Sequence, residues 1–258
     1  MNFHLIKLLF LLIFFSVIQI SNSQEIKLGL PLGNDDRITN HDLSENGKYL
    51  VVSSEDNSVK VFEVLTGFVI HSFTNHSNKV IDVKFIKNDE YILSISVDKT
   101  INLYRLKTGK LVSKILTDFI PYLIDTSTDD NYLMVVSQYE GIINVFEILS
   151  GKKVSSFNGP NSFYYSAQFS PSGNYIIIGV DDNSDLDDNT VRIYNSFSGK
   201  EFNVLREGLP AVKPNVVSAD EKHMFIIKND TAYIVDFLTG RQNISYPCLL
   251  YTSDAADE

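Results

Sequence analysis

The chain has 258 residues, 44% hydrophobic and 21% charged, with 13 glycines and 7 prolines. That composition excludes disordered and fibrous classes, and the length suffices for a substantial core. The formal net charge is −10, with no run of Lys or Arg, which argues against a nucleic-acid backbone or an anionic membrane surface as partner, since both need a cationic face.

Residues 1–23 read as a secretory signal peptide. Lys7 precedes an apolar run from Leu8 to Ile18 that only Ser16 interrupts, and polar Ser-Asn-Ser-Gln follows. Ser21 and Ser23 supply the small residues wanted before a cleavage point, so mature protein is expected to start at Gln24, in the secretory lumen or outside the cell. An uncleaved anchor is the competing reading, but the run falls short of the roughly 20 apolar residues a span needs. No membrane span is expected after cleavage. Residues 25–32 alternate Ile26, Leu28, Leu30 and Leu32, the period of a strand.

A repeat follows. "DNSVKVFEVLTG", "DKTINLYRLKTG", "EGIINVFEILSG", "DNTVRIYNSFSG" and "NDTAYIVDFLTG" end at Gly67, Gly109, Gly151, Gly199 and Gly240. Eleven residues before each glycine stand Asp56, Asp98, Glu140, Asp188 and Asn229; five before stand Phe62, Tyr104, Phe146, Tyr194 and Val235. Upstream, Tyr49, Tyr91, Tyr132, Tyr175 and His223 form another column. Each copy reads as a turn ("SENGK", "IKNDE"), a short Val/Ile-rich run, a turn led by an acid, an alternating strand, a Thr-Gly or Ser-Gly turn and a last strand. Four strands every 41 to 48 residues is the arithmetic of a propeller blade, and no helical pattern interrupts it. An Asp or Glu heading a hairpin turn, as at Asp56, Asp98, Glu140 and Asp188, accepts hydrogen bonds from the backbone N–H groups just after it.

The fourth copy carries an extra "DDNSDLDDN" between its second and third strands. Asp181, Asn183, Asp185 and Asp187 alternate in it, an oxygen spacing like that of calcium loops, although Leu186 stands where those loops have glycine and no Glu closes the site. A solvated acidic loop is the alternative, and no other cofactor is implied.

"GKYLVVSSEDNSVKVFEV", "SPSGNYIIIG" and "DNTVRIYN" carry a resemblance to WD repeats, over about residues 36–246. The resemblance implies an all-β propeller of four-stranded blades spanning 24–247. An N-terminal strand would complete the last blade, and the five units seen would belong to a ring of about seven blades; a five-bladed ring is the alternative. It also implies a buried network joining the turn Asp to a His, a Ser and a Trp. The chain has no Trp, and only the second unit offers a version: His76, Ser96, Asp98 and Tyr104.

The last eleven residues, "CLLYTSDAADE" (248–258), leave the register. They resemble translated read-through of a transposase end sequence used in DNA library preparation.

For function, the five His residues have no metal-ligand spacing, and neither a phosphate-cradling Gly-rich loop nor a G-x-S-x-G turn occurs. The reading is a secreted or lumenal scaffold for protein–protein interaction without catalysis. The alternative is a propeller enzyme of lactonase-like or quinoprotein-dehydrogenase-like type, whose site residues scatter around the ring. Asn75, Asn229 and Asn243 match the N-glycosylation pattern. The second-to-third-strand turns gather Glu55, Asp56, Asp98, Glu140, Asp181, Asp182, Asp185, Asp187, Asp188 and Asp230, opposed mainly by Lys99, so a basic protein partner is expected there. The opposite turns mix Lys107, Lys110, Lys152, Lys153, Lys200 and Arg241 with Asp89, Glu90, Asp129 and Asp130.

Overall fold

The computed structural model describes residues 37–137, 140–159, 163–181, 189–205, 217–228 and 231–247, all within one of two units, 35–258. The strands fall into blades. Blade 1 is β1 (Ile38–Leu43), β2 (Tyr49–Ser54), β3 (Val59–Glu63) and β4 (Val69–Phe73). Blade 2 is β5 (Val80–Ile86), β6 (Tyr91–Ser96), β7 (Thr100–Arg105) and β8 (Lys110–Leu116). Blade 3 is β9 (Pro121–Thr126), β10 (Tyr132–Ser137), β11 (Ile142–Glu147) and β12 (Lys153–Asn158). Blade 4 is β13 (Phe163–Phe169), β14 (Tyr175–Asp181), β15 (Asn189–Asn195) and β16 (Glu201–Leu205). Blade 5 is β17 (His223–Lys228), β18 (Thr231–Asp236) and β19 (Gln242–Pro247). Every sheet is an antiparallel meander in chain order. The expectation of four strands per unit holds for four blades; the fifth shows three among the described residues, with Val217 bridged to Met224 where the others have an inner strand.

Register repeats from blade to blade. Leu43 pairs with Leu50, Phe85 with Ile92, Thr126 with Leu133 and Phe169 with Ile176, as Val217 does with Met224. Successive side chains of a strand point to opposite faces, and here both faces are covered. Ile92 of β6 packs with Val51, Val61 and Phe73 of blade 1, while its neighbour Leu93 packs with Leu133, Val135 and Phe146 of blade 3. The described core is thus a series of blade–blade interfaces, and the second strands of blades 2, 3 and 4 divide their residues between two of them. This double burial is why the second strands read as unbroken apolar runs. Each fully buried large aliphatic contributes about 1.5–3 kcal/mol.

Three polar contacts recur across these interfaces. On the inner strands, the carboxylates of Asp42 and Asp125 accept the N–H of Phe85 and Phe169 in the next blade, both at 2.8 Å. On the outer strands, the His71 ring, Ser155 and Asn203 donate to the Leu106, Ser196 and Leu238 carbonyls of the next blade. At the first turns, Asp89, Asp130 and Glu221 accept the N–H of Glu45, Lys87 and Ser172 in the preceding blade, at 2.7–2.9 Å. These three acids hold left-handed backbone (φ 64°, 52° and 54°) in the slot that Gly47 and Gly173 fill elsewhere. The bond to the neighbour offsets the cost of a side chain there, about 1–2 kcal/mol.

The leading side of blade 1 has no such neighbour among the described residues. Leu43 is 54% exposed, whereas Phe85, Phe169 and Val217 in the same slot are each 7% exposed. The turn glycines show the same contrast. A Cβ on Gly199 would lie 2.6 Å from Phe157 atoms near the root of that side chain, which cannot swing clear; one on Gly67 would meet nothing within 4 Å. Both have φ near +65–70°. Gly67→Ala is therefore expected to cost only the backbone term, about 1 kcal/mol. Gly199→Ala adds overpacking, for about 3 kcal/mol in total. Urea titrations of the two variants check the difference, and equal losses would refute the close approach of blades 3 and 4.

Candidate functional site

Among the described residues, a constellation with catalytic connectivity lies in blade 2. The loop entering the blade brings in His76, β6 brings Ser94, the following turn brings Asp98, and β7 brings Thr100, Asn102 and Tyr104. His76 Nδ1 is 3.1 Å from Asp98 Oδ2, and its Nε2 is 2.8 Å from Ser94 Oγ. An ionised carboxylate only accepts, so Nδ1 carries the proton and Nε2 accepts, from the Ser94 hydroxyl or the Asn102 amide at 3.2 Å. Asp98 also accepts the N–H of Ser77 and Thr100 and the Thr100 hydroxyl. Asn102 donates to the Tyr104 hydroxyl at 3.2 Å, and the Tyr104 ring stacks on Phe73 of blade 1 at 4.0 Å between centroids. Tyr104 thus anchors the network to the neighbouring blade from the aromatic slot.

Ser94 Oγ, His76 and Asp98 have the connectivity of a nucleophile, its base and an orienting acid. Ser94 and Asn102 are fully buried and His76 nearly so. A nucleophile must meet its substrate, and this one is sealed in a blade–blade interface, so the arrangement braces the fold. Ser94, not the expected Ser96, meets His76. Ser96 Oγ donates to the carbonyls of Asn78 and Lys79 and accepts the Asp98 N–H at the strand end.

The electrostatics follow from burial and bonding. Burial lowers the His76 pKa, more than Asp98 raises it, and Lys114 lowers it slightly further. Burial pushes Asp98 up, but the bonds from Thr100 and Ser77 and the His76 ring outweigh it and bring Asp98 to about 2. Burial pushes the Tyr104 hydroxyl up to about 12. When pH falls below about 6.5, the unfolded chain protonates His76 while the native state resists. Below about 3.8 the same holds for Asp98, down to about 2. Both effects remove stability on acidification. Asp82 and Asp125 have raised pKa values, chiefly from burial, and act oppositely just above the ordinary carboxylate range. Stability is therefore expected to fall from pH 7 to pH 5, and His76→Gln should flatten that slope in urea titrations. An unchanged slope would show that His76 is not held neutral.

The inner strands carry further charges, with Asp82 and Asp125 half-buried and Lys84 exposed. Asp82 accepts from the Asn40 amide and the Val83 N–H. Lys84 donates to Thr126 Oγ1 at 3.0 Å. A cavity of about 530 Å³ opens beside Asp125, Thr126, Thr128, Gln168 and Phe169. Among the described residues, no group of three or more His, Cys, Asp or Glu side chains could hold a metal.

The turn acids divide. Asp56 Oδ1 accepts the Ser58 N–H at 2.8 Å, the pattern seen at Asp98 with Thr100. Asp98 is buried and adds nothing to an exposed acidic surface, and Glu55 pairs with Lys79 at 2.7 Å. Glu140 is exposed. Asn183, Asp185, Asp187, Asp188 and Asn229, the side chain of Asp181, residues 1–36 and residues 248–258 lie outside the described residues, so the calcium loop, the leader and the tail do too. Asn75 and Asn243 are exposed. Thr100 and Asn102 joined the network without being expected. The signal was a polar residue inside the third strand "TINLYR", where a strand buried on both faces has no reason to keep one.

Antiparallel meanders, four-stranded in blades 1 to 4 and laid face on face, with the inner strands of blades 1, 2 and 3 bonded to the next blade, define a β-propeller architecture. Residues 17–88 match the family model described as the anaphase-promoting complex subunit 4 WD40 domain, and residues 151–195 that of the WD domain, G-beta repeat. Autophagy-related protein 16 of Arabidopsis thaliana is 29% identical over 143 residues, covering 55% of this chain and 28% of that protein. COMPASS component SWD3 of Saccharomyces cerevisiae is 26% identical over 109 residues, 42% of this chain and 34% of that one. An uncharacterized WD repeat-containing protein of Synechocystis is 25% identical over 171 residues, 64% and 48% respectively. The chain thus spans less than half the length of each of these relatives. With the sheets and their register, these matches make it a WD40-like β-propeller chain. No described helix is long and apolar enough to cross a membrane.

Proposed function

We propose that this protein is a secreted or lumenal propeller scaffold that binds a basic protein partner and performs no catalysis itself. The observation that supports a scaffold is the burial of Ser94, His76 and Asp98: this set of side chains with catalytic connectivity, among the described residues, is sealed between blades. The similarity to WD-repeat proteins supports the same reading. A basic partner follows from the net charge of −10 and from the acids in the turns between second and third strands, with Glu55 partly offset by Lys79. Clefts lined by one sign of charge steer oppositely charged partners.

The test is retention of basic extracellular proteins on the immobilised full chain. Binding should weaken with salt, because exposed charges are screened over about 8 Å at physiological ionic strength. Asp185→Lys with Asp187→Lys should reduce it, and Lys152→Glu with Lys153→Glu should not. The reverse pattern would put the docking surface at the other end of the blades, and salt-independent retention would remove the basic partner. Expression in a eukaryotic host should yield protein beginning at Gln24, with glycosidase-sensitive mass on Asn75, Asn229 and Asn243. A retained Met1 would defeat the secretory assignment.

A further inference from the structure

One column breaks in blade 1. The residue after the turn glycine is Lys110, Lys152, Lys200 and Arg241 in blades 2 to 5, and Phe68 in blade 1. Those four cations are exposed although each of their blades has another in front, so a blade in front leaves this slot in solvent. Phe68 is 71% exposed. Val69 and Ile70 continue the apolar surface.

The strand that follows is also bare of charge. Outer strands leave a row of unpaired N–H and C=O groups, and proteins guard such edges with charge, above all Lys. β8 carries Lys110 and Lys114, β12 carries Lys153, β16 carries Glu201, and Arg241 immediately precedes β19. β4, "VIHSF", carries no Lys, Arg, Asp or Glu. Among the described residues it pairs only with β3, and none of them covers its other edge. Its His71 and Phe73 are engaged with Leu106 and Tyr104 of blade 2, which fixes the strand while leaving that edge unguarded.

We propose that the edge running from Phe68 through β4 docks an extended, apolar segment of a partner protein, which joins blade 1 as a further strand. An open backbone row selects an extended chain, since only a strand satisfies it along its length. The missing charge selects the side chains: the edge offers no ion pair, and Phe68, Val69 and Ile70 lose exposed apolar surface only against apolar groups. This surface is separate from the acidic turns, which lie at the other end of the blade.

The probe is a fluorescein-labelled octapeptide alternating threonine and valine between terminal lysines, titrated against the full chain by anisotropy. The key variant is Phe68→Lys with Ser72→Lys, which gives β4 the residues blade 2 carries in the same slots, Lys110 and Lys114. Blade 2 shows that the fold accepts them, and an unchanged melting temperature confirms it. Saturable binding is expected, weakened at least tenfold in this variant and at least tenfold when alternate peptide amides are N-methylated. Asp185→Lys with Asp187→Lys should leave it unchanged, which separates this site from the proposed basic-partner surface. Equal binding to parent and variant, no binding to the parent, or loss through the Asp185 and Asp187 changes would each overturn the proposal. So would sedimentation showing a dimer that the Lys variant dissociates, with no peptide bound, because the occupant would then be a second copy.

Discussion

His76→Leu is expected to destabilise the protein by about 3 kcal/mol, through a lost hydrogen bond to a charged group and buried polar groups left without it. Leucine fills most of the space, so packing loss is not the main term. What is lost is the donor to Asp98 and the acceptor for Ser94 and Asn102. Asp98 keeps Thr100 and Ser77, but the Ser94 hydroxyl and the Asn102 amide lose their strongest partner in a fully buried place, at about 1–3 kcal/mol for each group left unsatisfied. The double variant His76→Leu with Asn102→Leu should then cost less than the sum of the single changes, by about 1 kcal/mol or more, because the second change removes a group the first left stranded. Urea titrations followed by far-ultraviolet circular dichroism suit a chain without Trp. A loss under about 1 kcal/mol for His76→Leu would mean that the network is not a brace.

The blades were legible in the sequence because their chemistry is local and repeated. A glycine held at φ near +65° after each third strand, and a run buried on both faces before it, leave a mark at the same place in every unit. The site was legible only in part. Ser94 and Ser96 lie two residues apart on one side of β6, so alternation cannot separate them. The difference is depth: Ser96 ends the strand beneath the Asn78 carbonyl, and Ser94 sits about 7 Å further in, at the imidazole. The sequence marks Asp89 and Asp130 only as turn charge and does not single out Glu221. Their left-handed backbone makes sense only through N–H groups some 43 to 49 residues away, in the preceding blade. No column of one unit records what the next unit needs. The first-blade edge is the reverse case, since Phe68 departs from its column in plain view and only its exposure gives the departure meaning.

Asn144→Leu should do the opposite of His76→Leu and stabilise the protein. Asn144 on β11 is the counterpart of Asn102, seven residues before the turn glycine, and it is fully buried. In blade 2 the loop brings in His76 to answer Asn102. In blade 3 the loop brings in Phe119, buried among Leu133, Val135 and Phe146. Phe119 offers no hydrogen bond, and neither Oδ1 nor Nδ2 of Asn144 has a partner. A buried amide left in that state costs about 1–3 kcal/mol. Leucine has nearly the same reach and adds apolar contact, so a gain of about 1–3 kcal/mol is expected. The companion Asn102→Leu should be destabilising, since it takes a donor from Tyr104 and His76. The pair is measured side by side in urea. Opposite signs confirm that the same residue, in the same slot of adjacent blades, is a partner in one and an orphan in the other. A loss on Asn144→Leu would show that the amide is bonded after all, and that blade 3 retains a polar brace of its own.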